Sequence, residues 1–96
     1  MHVLITYDVA TSSEGGKKRL RRVAKICLDY GQRVQFSVFE CQVDSARYVE
    51  LKNRLEKAIE TSKDSLRFYN LGSTWDQRVE HVGVKSSFDP SSPLIV

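Results

Sequence analysis

The sequence predicts an α+β sandwich with the element order β-α-β-β-α-β. Three observations predict it. Runs at 3–9, 33–43 and 65–71 are rich in β-branched and aromatic residues, two segments between them carry apolar residues at helical spacing, and turn-forming residues mark the changes of period. The first strand is Val3-Leu4-Ile5-Thr6-Tyr7-Asp8-Val9. A polar loop, Ala10 to Gly16, leads into a helix over about Lys17 to Tyr30. Leu20, Val23, Ala24 and Cys27 form its apolar stripe, and Gly31 stands at the C-cap position. Arg33-Val34-Gln35-Phe36-Ser37 and Val38-Phe39-Glu40-Cys41-Gln42-Val43 read as two strands, although no Asn-Gly or Asp-Gly marks a turn between them. Asp44-Ser45 supplies an N-cap for a second helix, Ser45 to Ser62. Its stripe is Tyr48, Leu51, Leu55, Ala58 and Ile59, with Arg47, Glu50, Asn53, Arg54, Lys57 and Glu60 turned outward. Lys63-Asp64 breaks the chain, Ser65 to Leu71 alternates as a fourth strand, and Gly72-Ser73-Thr74 turns. This is the split arrangement of a ferredoxin-like sandwich, with two helices on one face of an antiparallel sheet.

The 96 residues make one domain, with 1–72 as its core and 73–96 as a C-terminal strand and tail. A chain of this size buries only about 60–65% of its extended surface and gains from association. Its 41% apolar and 28% charged residues are those of an ordinary soluble globular protein. The helices leave the other sheet face, with Leu4 and Thr6, in need of cover, which points to a homodimer. Arg78 to Val84 reads as a fifth strand with no place in the four-stranded unit, suited to extending the sheet edge of a partner. Leu94-Ile95-Val96 is an aliphatic end that either frays or adds a strand to a partner protein. Cys27 and Cys41 lack CxxC spacing and read as small buried hydrophobes rather than a disulfide. No apolar run reaches 18 residues and the N-terminus enters a strand at once, so the expectation is a cytoplasmic protein with no membrane partner.

Asp8 is the residue that most invites a functional reading. A carboxylate ending an apolar strand is costly to bury unless a donor, a cation or a metal compensates it. It equally suits a cap for the turn that Ala10-Thr11-Ser12-Ser13 begins. One carboxylate is a poor Mg²⁺ site, but two copies of Asp8 near a dimer axis can share one ion, completed by water and substrate phosphate. The net charge of +3 does not by itself identify a nucleic-acid binder. Its distribution is more telling. Lys17, Lys18, Arg19, Arg21, Arg22 and Lys25 lie within nine residues with no acid between them, and two such helices in a dimer would set about twelve cations facing phosphates. Lys18, Arg21, Arg22 and Lys25 share the side opposite the apolar stripe, either as a solvated face or as a phosphate-binding surface with little sequence preference. His2 and His81 lack paired-ligand spacing. Ser12, Ser13 and Ser37 lack an identifiable base. Glu14-Gly15-Gly16-Lys17-Lys18 is not a Walker loop, and the glycine-flanked aromatic motif of RNA-recognition sheets is absent.

With Tyr7-Asp8 upstream, the segment Gly31-Gln32-Arg33-Val34-Gln35-Phe36-Ser37-Val38-Phe39-Glu40 resembles a known family, the small CRISPR-associated nuclease of the adaptation (spacer-acquisition) module, the second of its two core proteins. The resemblance runs end to end, including Leu66-Arg67-Phe68-Tyr69 and the Pro93-Leu94-Ile95-Val96 tail, and the stretch 15–21 is most similar to members from type I-C systems. It implies a ferredoxin-like homodimer with a divalent metal, Mg²⁺ or another, between two Asp8 residues. It also implies endonucleolytic phosphodiester hydrolysis, on single-stranded RNA in some members and double-stranded DNA in others. A non-catalytic role is implied too, in which the dimer bridges the CRISPR adaptation integrase with DNA across the basic surface. By position Tyr7, Arg33, Ser37 and Phe39 match the surroundings of the site. Arg33 suits a phosphate, and Phe39 suits the core equally well.

Overall fold

In the computed structural model, which describes residues 1–74 and 77–84, the chain follows the predicted order. The elements are β1 (His2–Asp8), α1 (Gly16–Tyr30), β2 (Gly31–Gln35), β3 (Val38–Gln42), α2 (Ser45–Ala58) and β4 (Ser65–Gly72). The sheet order is β2-β3-β1-β4 with every pair antiparallel, so β1 lies between β3 and β4.

Strand alternation decides which residues meet the helices. Val3, Ile5 and Tyr7 on β1 and Phe39 and Cys41 on β3 are buried against Val23, Ile26 and Cys27 of α1 and Leu51, Leu55 and Ala58 of α2. Leu20, Ala24, Tyr48 and Ile59 pack at the margin of that core, as their places on the predicted stripes require. The opposite sheet face carries Leu4, Thr6 and Asp8. Glu40 and Tyr69 lie across from Leu4, Val38 and Arg67 across from Thr6, and Ser65 across from Asp8. No helix among the described residues covers this face.

Four details depart from the sequence reading. Gly31 is not a left-handed C-cap, because its backbone is extended and begins β2. Its lack of a side chain is required by close approach: a Cβ there would sit 2.0 Å from the Glu40 carbonyl oxygen and 2.7 Å from Cys41 Cα. The β2–β3 link is the pair Phe36-Ser37, and no non-glycine residue has positive φ among the described residues, so this is neither of the usual primed hairpin turns. A register shift between Arg33 and Gln35 takes up the mismatch. The second helix stops at Ala58 rather than Ser62, because Asp64 takes the Glu60 amide that the next helical turn would have used. The predicted fifth strand does not form in this single chain: residues 77–84 are irregular, with Val82 and Val84 exposed. A strand needs an edge to pair with, and this segment lies on neither edge of its own sheet. The aliphatic tail 94–96 lies outside the described residues. No described helix is long and apolar enough to cross a membrane.

Candidate nucleic-acid and metal site

The C-terminal end of β1 and the β2–β3 link meet at one end of the sheet. Tyr7 N donates to the Ser37 carbonyl at 3.1 Å, and its hydroxyl reaches the Phe36 carbonyl at 3.5 Å. Tyr7 is buried on the helix side, where its ring stacks on Phe39 with centroids 6.0 Å apart. The Arg33 guanidinium lies 5.0 Å from the Phe39 centroid and 6.0 Å from that of Phe36. Phe39 is therefore core and platform at once, fully buried beneath a cation. Tyr7, Arg33, Ser37 and Phe39 are thus brought together at this end of the sheet.

Asp8 follows Tyr7 on the other face of the strand and is exposed. Its cross-strand neighbour is Ser65. Among the described residues no group of three or more His, Cys, Asp or Glu could hold a metal. His2 is buried, with Nε2 3.8 Å from a Glu40 carboxylate oxygen, and His81 is exposed beside the Gly83 carbonyl.

The cations of α1 divide into two groups. Lys17, Lys18, Arg21, Arg22 and Lys25 are exposed. Arg19 is not part of that surface. Its Nε donates to Asp64 Oδ2 at 2.7 Å, and its terminal nitrogens donate to Asp64 Oδ1, the Ser13 hydroxyl and the Glu14 carbonyl. The expectation that Arg19 faces phosphates is corrected accordingly, because its donors are directed to this loop and the buried carboxylate. Asp64 also accepts from the Ala10 and Glu60 amides. The Arg19 hydrogen bond first, and then those two amides, hold its carboxyl down to about 2 against the effect of burial. This clasp ties the loop after β1 to the link before β4. The sequence marks Asp64 only as a chain breaker. No local signal pairs it with Arg19, 45 residues away.

The same end uses two glycines. Gly15 has φ 75°, and a Cβ on Gly16 would sit 2.1 Å from the Ala10 carbonyl oxygen. Glu14-Gly15-Gly16 thus serves packing of the loop on α1. Cys27 and Cys41 are buried and free, and burial pushes their thiols up to about 12 and about 11. They are poor nucleophiles.

This fold has close counterparts among solved structures. The family model described as CRISPR associated protein Cas2 matches residues 1–79, and the chain belongs to that family. Among its relatives, the CRISPR-associated endoribonuclease Cas2 of Nitratidesulfovibrio vulgaris is 57% identical over 96 residues, covering 100% of this chain and 94% of the relative. The CRISPR-associated endonuclease Cas2 of Halalkalibacterium halodurans is 60% identical over 95 residues, covering 99% of both chains. The crystal structure of Streptococcus pyogenes Cas2 at pH 6.5 superposes with a TM-score of 0.77 at 58% identity, covering 86% of this chain and 100% of that one.

Proposed function

We propose that this protein is a divalent-metal-dependent endonuclease of the CRISPR adaptation module, hydrolysing phosphodiesters as a homodimer. The observation that carries the reading is Asp8: an exposed carboxylate at the end of a buried strand, on the sheet face that the helices leave open. The names of the close relatives support hydrolysis of nucleic acid, with RNA specified for the first and not for the second. The resemblance of the stretch 15–21 supports a type I-C system.

The residues fit Mg²⁺, which binds through one or two carboxylates and keeps waters and substrate phosphates in its remaining positions. Asp8 from each subunit would hold it. When bound, such an ion supplies charge neutralisation at the phosphodiester and lowers the pKa of a water. This chain's own residues do the rest. Arg33, held over Phe39, offers a fixed guanidinium to a phosphate oxygen. Tyr7 fixes the strand end through its bonds to the β2–β3 link. Lys17, Lys18, Arg21, Arg22 and Lys25 hold the backbone at a distance from the reaction. Residues 73–96 are assigned to subunit and partner contacts.

The exposed cations of α1 favour a second role beside the first, a scaffold that holds protospacer DNA while bound to the adaptation integrase. Asp8→Asn separates the two. Nuclease activity should fall by at least about 100-fold, as expected on losing a metal ligand. Wild-type cleavage by a rigorously purified Asp8→Asn protein contradicts the catalytic reading. Spacer acquisition that persists in cells carrying the cleavage-dead variant assigns the cellular role to the scaffold.

A further inference from the structure

A series of stacked groups leads from the core to the surface at the β2–β3 link. Tyr7 stacks on Phe39, Arg33 lies over Phe39, and the Phe36 ring stands 6.0 Å from the same guanidinium. Tyr7 and Phe39 are buried, whereas Phe36 is 86% exposed, more than any other large hydrophobic residue described. Its backbone is fixed, because the carbonyls of Phe36 and Ser37 both accept from Tyr7. Arg33 Nε is buried without a hydrogen-bond partner, and Arg33 forms no ion pair among the described residues. One aromatic face thus stands open to solvent beside a cation with no carboxylate, on the link that bonds to the residue preceding Asp8.

A nucleotide whose base has left the helical stack satisfies both groups, with its phosphate on the guanidinium and its base on the ring. Bases inside a duplex are already stacked on both faces and cannot offer one to the ring without unstacking. We propose that Phe36 is a base-stacking contact and Arg33 its phosphate partner, so that the site takes strands with unstacked bases, single-stranded or frayed, in preference to intact duplex. The inference rests on the nucleic-acid-binding reading above and adds to it a base contact at Phe36.

The test is anisotropy titration of the full-length protein in EDTA with three labelled ligands of equal length: oligothymidylate, the same strand made of abasic residues, and a blunt duplex. Base–aromatic stacking predicts that Phe36→Ala weakens oligothymidylate binding about tenfold. Binding of the abasic strand and the duplex should stay within about twofold, and Phe36→Trp should restore the single-strand affinity. Three results overturn the proposal: no loss on oligothymidylate, an equal loss on all three ligands, or conversion of a dimer to monomer by Phe36→Ala in sedimentation, which assigns the ring to a subunit contact. Neither metal nor cleavage enters the measurement. The base-dependent difference should persist in Asp8→Asn, so failure of the nuclease reading and failure of this one give distinct results.

Discussion

The Asp64 carboxylate receives four hydrogen bonds, two from Arg19 and one each from the Ala10 and Glu60 amides. Its removal leaves a partly buried guanidinium and two amides without their acceptor. Asp64→Ala should cost about 3 kcal/mol, the low end for a buried pair because Arg19 is partly in water. The linkage has a definite sign. The folded carboxyl titrates at about 2 against 3.8 unperturbed, so its contribution is complete above about pH 4 and is lost as pH falls toward 2. Urea unfolding at pH 7, and at steps between pH 4 and 2, should show a lower midpoint for the variant and a weaker dependence on acid. A loss below about 1 kcal/mol, the range of exposed ion pairs, contradicts the assignment. At this scale the sequence disclosed what is local. Asp8 stood out against its own strand, and Arg33, Ser37 and Phe39 share one short segment. The clasp was invisible because it joins residues 45 and 54 positions apart, and Phe36 because an exposed aromatic in a strand-like run reads as strand.

At the scale of elements, α1 presents five exposed cations and withholds a sixth. Each phosphate neutralised on a duplex adds about 0.9 to the slope of log affinity against log salt. Replacing Lys18, Arg21, Arg22 and Lys25 by Gln should weaken duplex binding at about 50 mM salt and flatten that slope by about 0.9 for each phosphate no longer neutralised. Circular dichroism should be unchanged, since none of the four touches the core. An unaltered slope identifies the face as merely solvated. The two apolar stripes were legible in the sequence through their 3.6-residue periodicity, although Ile26 and Tyr30, also buried on α1, were not counted in the first. Boundaries were less so: α2 ends four residues early where Asp64 captures the Glu60 amide, and the β2–β3 link closes through a register shift that no dipeptide announces.

For the whole molecule, the open sheet face and the unpaired segment 77–84 belong together. Leu4, Val38 and Tyr69 lie on that face among Thr6, Glu40 and Arg67, and Val82 and Val84 stand exposed outside the sheet. A second copy would account for both, by covering the face and offering an edge to the fifth strand. The sequence pattern predicts a fifth strand that residues 77–84 do not form in the single chain, and in the proposed dimer the second copy would be its pairing partner. In the proposed dimer, two Asp8 residues make one metal site. A crystal structure of the full-length protein with Mn²⁺, read by anomalous scattering, tests this without recourse to activity. One ion per dimer is expected on the two-fold axis, with the Asp8 carboxylates about 4–6 Å apart, as metal–oxygen distances near 2.1 Å allow. Two Asp8 carboxylates more than about 10 Å apart, with Mn²⁺ bound elsewhere, would contradict a shared site.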